Sequence, residues 1–401
     1  MSITARASTA SMSAGVQWFH SDACRLEDFV RTVSVETRLE DYPFAHRVER
    51  NVLIYGPELQ QRAEDPAGRR DIQAELVRAL TDGPGIVVFK EAFADTAVVD
   101  RATAAFIRLI EAQKAAGTAA GDHFAKPGAN DRVWGALDKL AVAEPEVFAD
   151  YYGNDILALV SEAWLGPNYQ VTSQVNVVNP GGAAQTAHRD YHLGFMGLEE
   201  AQTYPAHIHR LSPALTLQGA VAHCDMPIES GPTLYLPHSH KYPAGYVAFH
   251  RPEFTDYFEQ NFVQLPLAKG DAAFFNPALF HGAGHNRSAD IRRMANLLQV
   301  SSAFGRAMET VDRTSMCKAL YPIMQEHRAA GSSERSVRNV VAASAEGYAF
   351  PTNLDRDQPV GGIAPESQAG LVLRALKTGL DQAAFEAELD AQQQRRRTQV
   401  G

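Results

Sequence analysis

A histidine and an aspartate two positions apart form the first candidate metal-binding group in this sequence. His188 and Asp190 follow a Pro180-Gly181-Gly182 turn. Because successive side chains of an extended chain alternate between its two faces, these two residues point the same way and can bind one cation. An imidazole and a carboxylate in this arrangement supply half of a metal site. Taken alone, the His-x-Asp tripeptide is weak evidence, since such short matches arise by chance.

The remaining ligand is predicted far downstream, at His281. This residue closes an apolar run that begins after the Lys269-Gly270-Asp271 turn, and Arg292 precedes a second apolar run, Met294 to Val300. Two such runs joined by a polar loop predict a pair of antiparallel strands. Two histidines and one carboxylate with open coordination positions are the facial triad of non-haem Fe(II) oxygenases. An arginine on the neighbouring strand can bind the distal carboxylate of 2-oxoglutarate through two parallel hydrogen bonds.

The order of these motifs resembles that of the phytanoyl-CoA dioxygenase family of Fe(II)- and 2-oxoglutarate-dependent oxygenases. The motifs are His188-x-Asp190, the segment from Gly231 to His240, the Lys269-Gly270-Asp271 turn, and His281 with Arg292 eleven positions later. One departure is visible, because that family usually has Pro-Gly-Ser-His where this chain has Pro237-His238-Ser239-His240. The likeness covers roughly Gly83 to Ser302. This set of motifs is specific for the chemistry and gives almost no information on the substrate.

Iron binding is the first function that the resemblance implies. Fe(II) is expected at His188, Asp190 and His281, which leaves three coordination positions for two oxygens of 2-oxoglutarate and for O2. The implied reaction consumes O2, converts 2-oxoglutarate to succinate and CO2, and hydroxylates a C–H bond of the substrate. Because Asp190 is present rather than Ala or Gly, no position is freed for a halide, so hydroxylation is favoured over halogenation. Desaturation, epoxidation and ring formation use the same triad.

Binding of the co-substrate 2-oxoglutarate is the second implied function. Arg292 is expected to pair with its far carboxylate, with Ser288 or Gln174 as additional donors. Arg293 is the alternative if the strand begins one residue later.

Two other functions fit parts of this pattern. A cupin-type metal dioxygenase that acts directly on its substrate keeps the triad but does not use 2-oxoglutarate; Arg292 argues against it, and a lack of succinate formation would support it. A non-catalytic barrel that binds a small molecule is disfavoured by the complete triad.

Many short apolar strands with Gly and Pro between them predict the fold. We expect a mainly β protein with flanking helices and a double-stranded β-helix core, the jelly roll of cupins. The expected organisation is an N-terminal extension over residues 1–70, an oxygenase domain over residues 71–305 and a C-terminal helical appendage over residues 306–401, packed on the barrel. The last helix of this appendage contacts either its own domain or a partner subunit in a homo-oligomer.

A predicted strand, Val171 to Val178, carries Thr172, Gln174 and Asn176 on one face. This polar face either lines the cavity, where it can bind co-substrate or substrate, or meets water. Further candidate pocket residues, chosen by their position relative to the motifs, are Lys126, Arg132, Trp134, Tyr191, His192, Tyr204 and Tyr235. An aromatic and basic rim of this kind suits a small anionic or ring-containing substrate.

Composition restricts the partners and the compartment. The chain has 401 residues and a formal net charge of −10, which disfavours nucleic acid or an anionic membrane as partner. Three cysteines far apart form no disulfide framework or zinc motif, so a cytoplasmic location is expected. Residues 1–15 are rich in Ser and Ala and faintly resemble a transit peptide, but a disordered tail is the preferred interpretation.

Overall fold

The computed structural model describes residues 17–117 and 130–398, which contain eleven strands and fifteen α-helices. The strands are β1 (Arg47–Glu49), β2 (Val52–Tyr55), β3 (Ile86–Phe89), β4 (Asn130–Val133), β5 (Gln170–Val178), β6 (Thr216–Ala222), β7 (Leu234–Leu236), β8 (Val263–Gln264), β9 (Ala272–Phe275), β10 (Phe280–Gly282) and β11 (Arg293–Ser301). The helices are α1 (Leu26–Val33), α2 (Glu58–Arg62), α3 (Pro66–Thr81), α4 (Thr96–Ala115), α5 (Ala136–Ala143), α6 (Pro145–Tyr152), α7 (Asp155–Leu165), α8 (Leu198–Ala201), α9 (Ala206–Leu211), α10 (Gly245–Ala248), α11 (Pro252–Asn261), α12 (Arg313–Ala329), α13 (Glu334–Ser344), α14 (Gln368–Thr378) and α15 (Gln382–Arg396).

Two facing sheets form the barrel that the sequence predicts. The large sheet has the strand order β1-β2-β3-β9-β6-β11-β5-β4, and the small sheet has the order β10-β7-β8. Strands β2 and β3 are parallel. The other neighbouring pairs are antiparallel. Apolar side chains from both sheets meet between them, among them Val88 and Phe275 from the large sheet and Tyr235 from the small one. The double-stranded β-helix core is therefore confirmed.

Side chains of the large sheet alternate between the helices and the barrel interior. On β6, Leu217 and Val221 pack into the main hydrophobic core with the helices, whereas Gln218 faces the interior and reaches Asp190. On β11, Leu298 and Val300 belong to the same core, and Gln299 between them points inward toward Gln174. The period of two along each strand thus presents a polar row to the cavity.

Helices contain most of the regular structure. They include 47% of the described residues against 15% in strands, so "mainly β" describes the barrel but not the chain. Helices α3 to α7 and the C-terminal helices α12 to α15 pack in one core on the outer face of the large sheet. Within that core Tyr321 of α12 stacks on Phe385 of α15 with ring centroids 3.9 Å apart. Among the described residues, no helix is both long and apolar enough to cross a membrane.

The segment before residue 71 contributes to the barrel. Strands β1 and β2 extend the large sheet. Helix α1 covers the outer face of the small sheet, where the Phe29 ring lies 4.9 Å from the Phe280 ring. Residues 17–56, which lack a clear sequence period, therefore contain ordered elements held by tertiary packing.

Candidate metal centre

A backbone bridge brings the two halves of the predicted metal site together. The backbone N–H of His188 donates to the carbonyl of His281 at 3.0 Å, and the reverse bond measures 3.2 Å. His281 lies in β10, whereas His188 lies in an extended loop that pairs with this strand at one position only. The Asp190 N–H then donates to the carbonyl of Pro277 at 2.9 Å, which continues the contact along the same edge.

The side chains of His188, Asp190 and His281 converge on one point. Each offers one ligand atom, and these atoms all lie within 4.8 Å of one another. Nε2 of His281 lies 3.3 Å from Oδ2 of Asp190, and Nε2 of His188 lies 3.7 Å from Oδ1. Between them, Arg189 turns away and donates to the carbonyls of Ser239 and Tyr242 at 2.7 and 3.0 Å. The alternation expected from the His-x-Asp spacing is therefore present.

Both imidazoles are oriented by their second nitrogen. Nδ1 of His188 lies 2.9 Å from the carbonyl oxygen of Thr186, and Nδ1 of His281 lies 2.9 Å from that of Leu279. A carbonyl oxygen only accepts, so each Nδ1 carries the proton and each Nε2 keeps a lone pair directed at the cluster. This is the tautomer that a metal ion requires.

Asp190 is buried but held in its charged form. Burial alone would raise the pKa of its carboxyl, yet the two imidazoles, in their protonated form, and the Gln218 amide together hold that pKa well below the usual range. The side-chain amide of Gln218 donates to Oδ2 at 2.5 Å. Two imidazole nitrogens and a charged carboxylate form a donor set that suits a divalent transition metal.

Two adjacent arginines occupy different environments at the start of β11. Arg292 precedes the strand, with 58% of its side chain exposed, and it pairs with Asp131 at 3.1 Å. Arg293 is the first strand residue and is buried. Its Nη1 donates to the carbonyls of Ser230 and Gly284, both at 3.3 Å. The role expected of Arg292 does not fit its position, since the period of two along β11 turns Arg293 and not Arg292 into the barrel.

The buried guanidinium of Arg293 has no acidic partner among the described residues. Burial lowers its pKa to about 10. The phenol of Tyr235, which lies opposite His281 in the pairing of β7 with β10, is close enough to influence that pKa. A buried cation without an ion-pair partner is costly, and an anion bound beside it would offset the cost.

The two additional donors expected from the sequence lie elsewhere. Ser288 is in the turn before β11, where its hydroxyl donates to Oδ1 of Asn286 at 2.6 Å. Gln174 is buried in the barrel, but it lies opposite Leu297 in the pairing of β5 with β11. Four residues of strand separate that level from Arg293, roughly 13 Å. The polar face of β5 therefore lines the cavity, at a different level from Arg293.

Several functional candidates are visible only in the structure. Gln218, Gln299 and Glu309 approach Asp190 or Gln174 from strands and loops far apart in sequence. A polar residue on the inner face of β6 would have been the only sequence signal for Gln218. Of the candidate pocket residues, Lys126 lies outside the described part of the chain.

A model of one protein family matches more than half of the chain. The family model described as phytanoyl-CoA dioxygenase matches residues 81–294. Two curated relatives are a dioxygenase named cdmD from Talaromyces verruculosus and one named trt7 from Aspergillus terreus. The first is 33% identical over 116 residues, covering 29% of this chain and 34% of that protein. The second is 30% identical over 128 residues, covering 32% and 39%. The aligned part thus spans little more than a third of each relative.

Solved structures with a similar fold include two proteins from nogalamycin biosynthesis. The non-haem alpha-ketoglutarate-dependent epimerase SnoN is 21% identical, with a TM-score of 0.41 over 60% of this chain and 82% of that one. The carbocyclase SnoK is also 21% identical, with a TM-score of 0.41 over 59% and 86%.

Proposed function

Because the chain belongs to the phytanoyl-CoA dioxygenase family, we propose that it is a non-haem Fe(II)- and 2-oxoglutarate-dependent dioxygenase that hydroxylates a C–H bond of a small molecule. The observation that carries the proposal is the convergence of His188, Asp190 and His281, whose ligand atoms lie within 4.8 Å of one another. Both Nδ1 atoms are engaged with carbonyls, so each Nε2 is left to face the Asp190 carboxylate and a bound cation.

The residues of the cluster fit iron in kind and in protonation state. Two neutral imidazoles and one carboxylate form the facial triad, which leaves open positions for further ligands. When bound there, iron with 2-oxoglutarate and O2 supplies the oxidising power that C–H hydroxylation needs and that no side chain provides. The protein's contribution is to fix the ligand geometry and to keep Asp190 charged.

We assign Arg293, rather than Arg292, to the far carboxylate of 2-oxoglutarate. Its guanidinium is buried, faces the barrel interior and makes only two long bonds to carbonyl oxygens, which leaves other N–H groups for a carboxylate. Tyr235 pairs with His281 across β7 and β10 and lies near this cation, and so its phenol is a further candidate donor to 2-oxoglutarate.

Apolar side chains line the cavity around this end of the site. Phe275 and Leu279 belong to the interior cluster with Tyr235, and the Phe275 ring meets the His281 imidazole edge-on at 4.8 Å. Such a lining excludes water from the ligands and strengthens the charged contacts formed inside.

Formation of succinate tests the proposal. Protein loaded with Fe(II) is incubated with 2-oxoglutarate under O2, alone and with a substrate panel, and succinate is measured by proton NMR. Wild type should form succinate, and the Asp190→Ala variant should not. O2 uptake in the presence of a panel substrate without succinate would support the direct dioxygenase instead.

Two finer expectations stay with this proposal. The C-terminal helix α15 packs Phe385 and Leu389 into its own domain, so a homo-oligomer contact there would use its polar side. A cytoplasmic location is also part of the proposal, since the three cysteines lie far apart in the sequence.

A further inference from the structure

Three glutamines form a polar row across the inner face of the large sheet. Gln218 of β6 lies opposite Gln299 of β11 in the strand pairing, and the Gln174 amide donates to the Gln299 side-chain carbonyl at 3.3 Å. At one end of the row Gln218 holds Asp190. At the other end Arg132 donates to the side-chain carbonyl of Gln174 at 2.6 Å. The row therefore extends from a side chain that holds a candidate metal ligand, on β6, to an arginine on β4, three strands away.

The hydrogen bonds of this row have a fixed direction. Arg132 only donates, so the Gln174 carbonyl must face it and the Gln174 amide must face Gln299. The Gln299 carbonyl is then occupied, which turns its amide toward the neighbouring hydroxyl of Tyr191. Arg132 also lies over the Trp134 ring, 4.4 Å from its centroid. Its guanidinium is thus engaged in holding the row.

Tyr191 lies beside the middle of the row, next to Gln299, and directly follows the candidate metal ligand Asp190. Its side chain is 3% exposed, and its hydroxyl has no hydrogen bond of good geometry to any described residue. The residue has a backbone φ of 61°, a value that residues other than glycine rarely adopt. With the Gln299 amide beside the phenol oxygen, its O–H is left to donate into the cavity.

A carboxylate lies beside the far end of the row. Glu309, in the loop after β11, accepts from the backbone N–H of Gly135 with Oε1 at 2.8 Å and lies next to Gln174. Its Oε2 is buried and makes no hydrogen bond of good geometry to a described residue, although the Gln174 amide lies beside the carboxyl. Burial raises the pKa of this carboxyl. A buried carboxylate oxygen without a donor is costly, and a cation from a ligand would offset that cost.

Gln218 adds a second free acceptor near Asp190. The charged carboxylate of Asp190 only accepts, so the amide nitrogen of Gln218 must face it and the side-chain oxygen must face away. That oxygen is buried and has no partner among the described residues. The groups without a hydrogen-bond partner among the described residues thus include two acceptors beside the row, one of them a carboxylate, and the hydroxyl of Tyr191.

We propose that this polar wall selects a substrate that is a small amine, with its ammonium group bound to Glu309 and its reacting carbon near the metal cluster. The inference rests on the proposed function and names its substrate class. Two strand spacings separate Gln218 from Gln174, about 10 Å, which sets the distance from the ammonium group to the reactive end of the pocket. An anionic substrate would place its negative charge against the Glu309 carboxylate, while Arg132 is already bonded to Gln174. An apolar substrate would leave the acceptors of the wall buried without donors.

Three probes with one carbon skeleton and different head groups test this proposal. They are cyclohexylamine, cyclohexanol and cyclohexanecarboxylate. The protein is loaded with paramagnetic Co(II) and saturated with 2-oxoglutarate, and enhanced relaxation of each probe's protons is measured by NMR relative to the diamagnetic Zn(II) form. Variants are Glu309→Gln, which keeps shape and removes charge, and Glu111→Gln, the same change at an exposed position on α4.

The expected result is a preference for the amine over the carboxylate of at least tenfold in affinity, present in wild type and Glu111→Gln and lost in Glu309→Gln. Equal or stronger binding of the alcohol or the carboxylate would overturn the proposal. So would a preference that survives in Glu309→Gln, or an amine whose protons are not relaxed at all. Relaxation of the 2-oxoglutarate protons in the same samples distinguishes failure of the substrate proposal from failure of the proposed function. If these protons are not relaxed in wild type, the proposed function itself is contradicted.

Discussion

The side-chain amide of Gln218 donates to Oδ2 of Asp190 at 2.5 Å, from a strand on the opposite side of the cavity. This bond holds one oxygen of the carboxylate and leaves Oδ1 toward His188. Partners of this kind orient metal ligands and are nearly as important for affinity as the ligands themselves. Gln218 is therefore a positioning residue for the metal cluster.

Loss of that bond should weaken metal binding without unfolding the protein. For Gln218→Ala we expect the dissociation constant for Co(II), measured by calorimetry, to rise about 10- to 100-fold. Gln299→Ala is the matched control, because Gln299 lies opposite Gln218 on the same face and is not bonded to a ligand residue. Equal weakening in both variants would mean that the row acts through the fold and not through Asp190.

The two adjacent arginines should differ sharply in their effect on 2-oxoglutarate binding. Arg293→Ala removes the buried guanidinium, and loss of a charge-assisted pair should weaken 2-oxoglutarate binding by about 2–3 kcal/mol. Arg292→Ala removes an exposed pair with Asp131 and should change the affinity less than threefold. Calorimetric titration of the Co(II)-loaded variants measures both.

Arg293→Lys separates the charge from its geometry. Lysine keeps the positive charge but cannot make two parallel hydrogen bonds, so an intermediate affinity is expected. The reverse order, with Arg292→Ala the more damaging variant, would return the co-substrate role to Arg292.

Gly231 should be essential for the loop that accepts from Arg293. Its φ is +74°, and a Cβ there would lie 2.4 Å from the carbonyl oxygen of His285. Gly379 has a similar φ of +70°, with no atom within 4 Å of its Cβ position. Gly379→Ala should cost about 1 kcal/mol of unfolding free energy from backbone strain alone. Gly231→Ala should cost clearly more, because a rigid backbone must move. Equal losses in urea unfolding would contradict this.

Buried neutral histidines should make the fold sensitive to acid. Burial lowers the pKa of His223 to about 3, and its two ring nitrogens are bonded to Thr103 and Tyr151. The folded-state pKa lies below the unfolded value of about 6.5, so the unfolded chain takes up a proton first as the pH falls. Stability due to this group is complete above pH 6.5. Below it, the unfolding free energy falls by up to about 1.4 kcal/mol per pH unit.

A variant that cannot titrate at this position isolates the effect. His223→Gln should lose some stability at pH 7.5, but its unfolding free energy should fall less steeply between pH 6.5 and 5 than that of wild type. Urea unfolding across this range measures the two slopes. Parallel slopes would show that His223 is not the group that responds.

The three candidate metal ligands could be picked out from the sequence, whereas the side chains that contact them could not. His188 and Asp190 could be singled out because their spacing puts both side chains on one face of an extended chain, and His281 because the order of the motifs resembles that of one family. The strand predicted from Val171 to Val178 also agrees with β5. These features depend on neighbours in the chain.

What the sequence did not predict depends on strand register and tertiary packing. The choice between Arg292 and Arg293 turns on one residue of register, which reverses every side chain of a strand. Gln218 and Glu309 join the site only through pairing of β6 with β11 and through a loop that folds back over Gln174. The early strands β1 and β2 are short and become recognisable only once β3 is beside them.

The central claim is that His188, Asp190 and His281 bind Fe(II) together with 2-oxoglutarate. Anaerobic titration of the protein with Fe(II) and then 2-oxoglutarate, followed by visible absorption, tests it most directly, with Asp190→Ala as the comparison. Wild type should develop the metal-to-ligand charge-transfer band of the chelate, saturating at one 2-oxoglutarate per bound iron, and Asp190→Ala should not. Bound iron without this band in wild type would contradict the account.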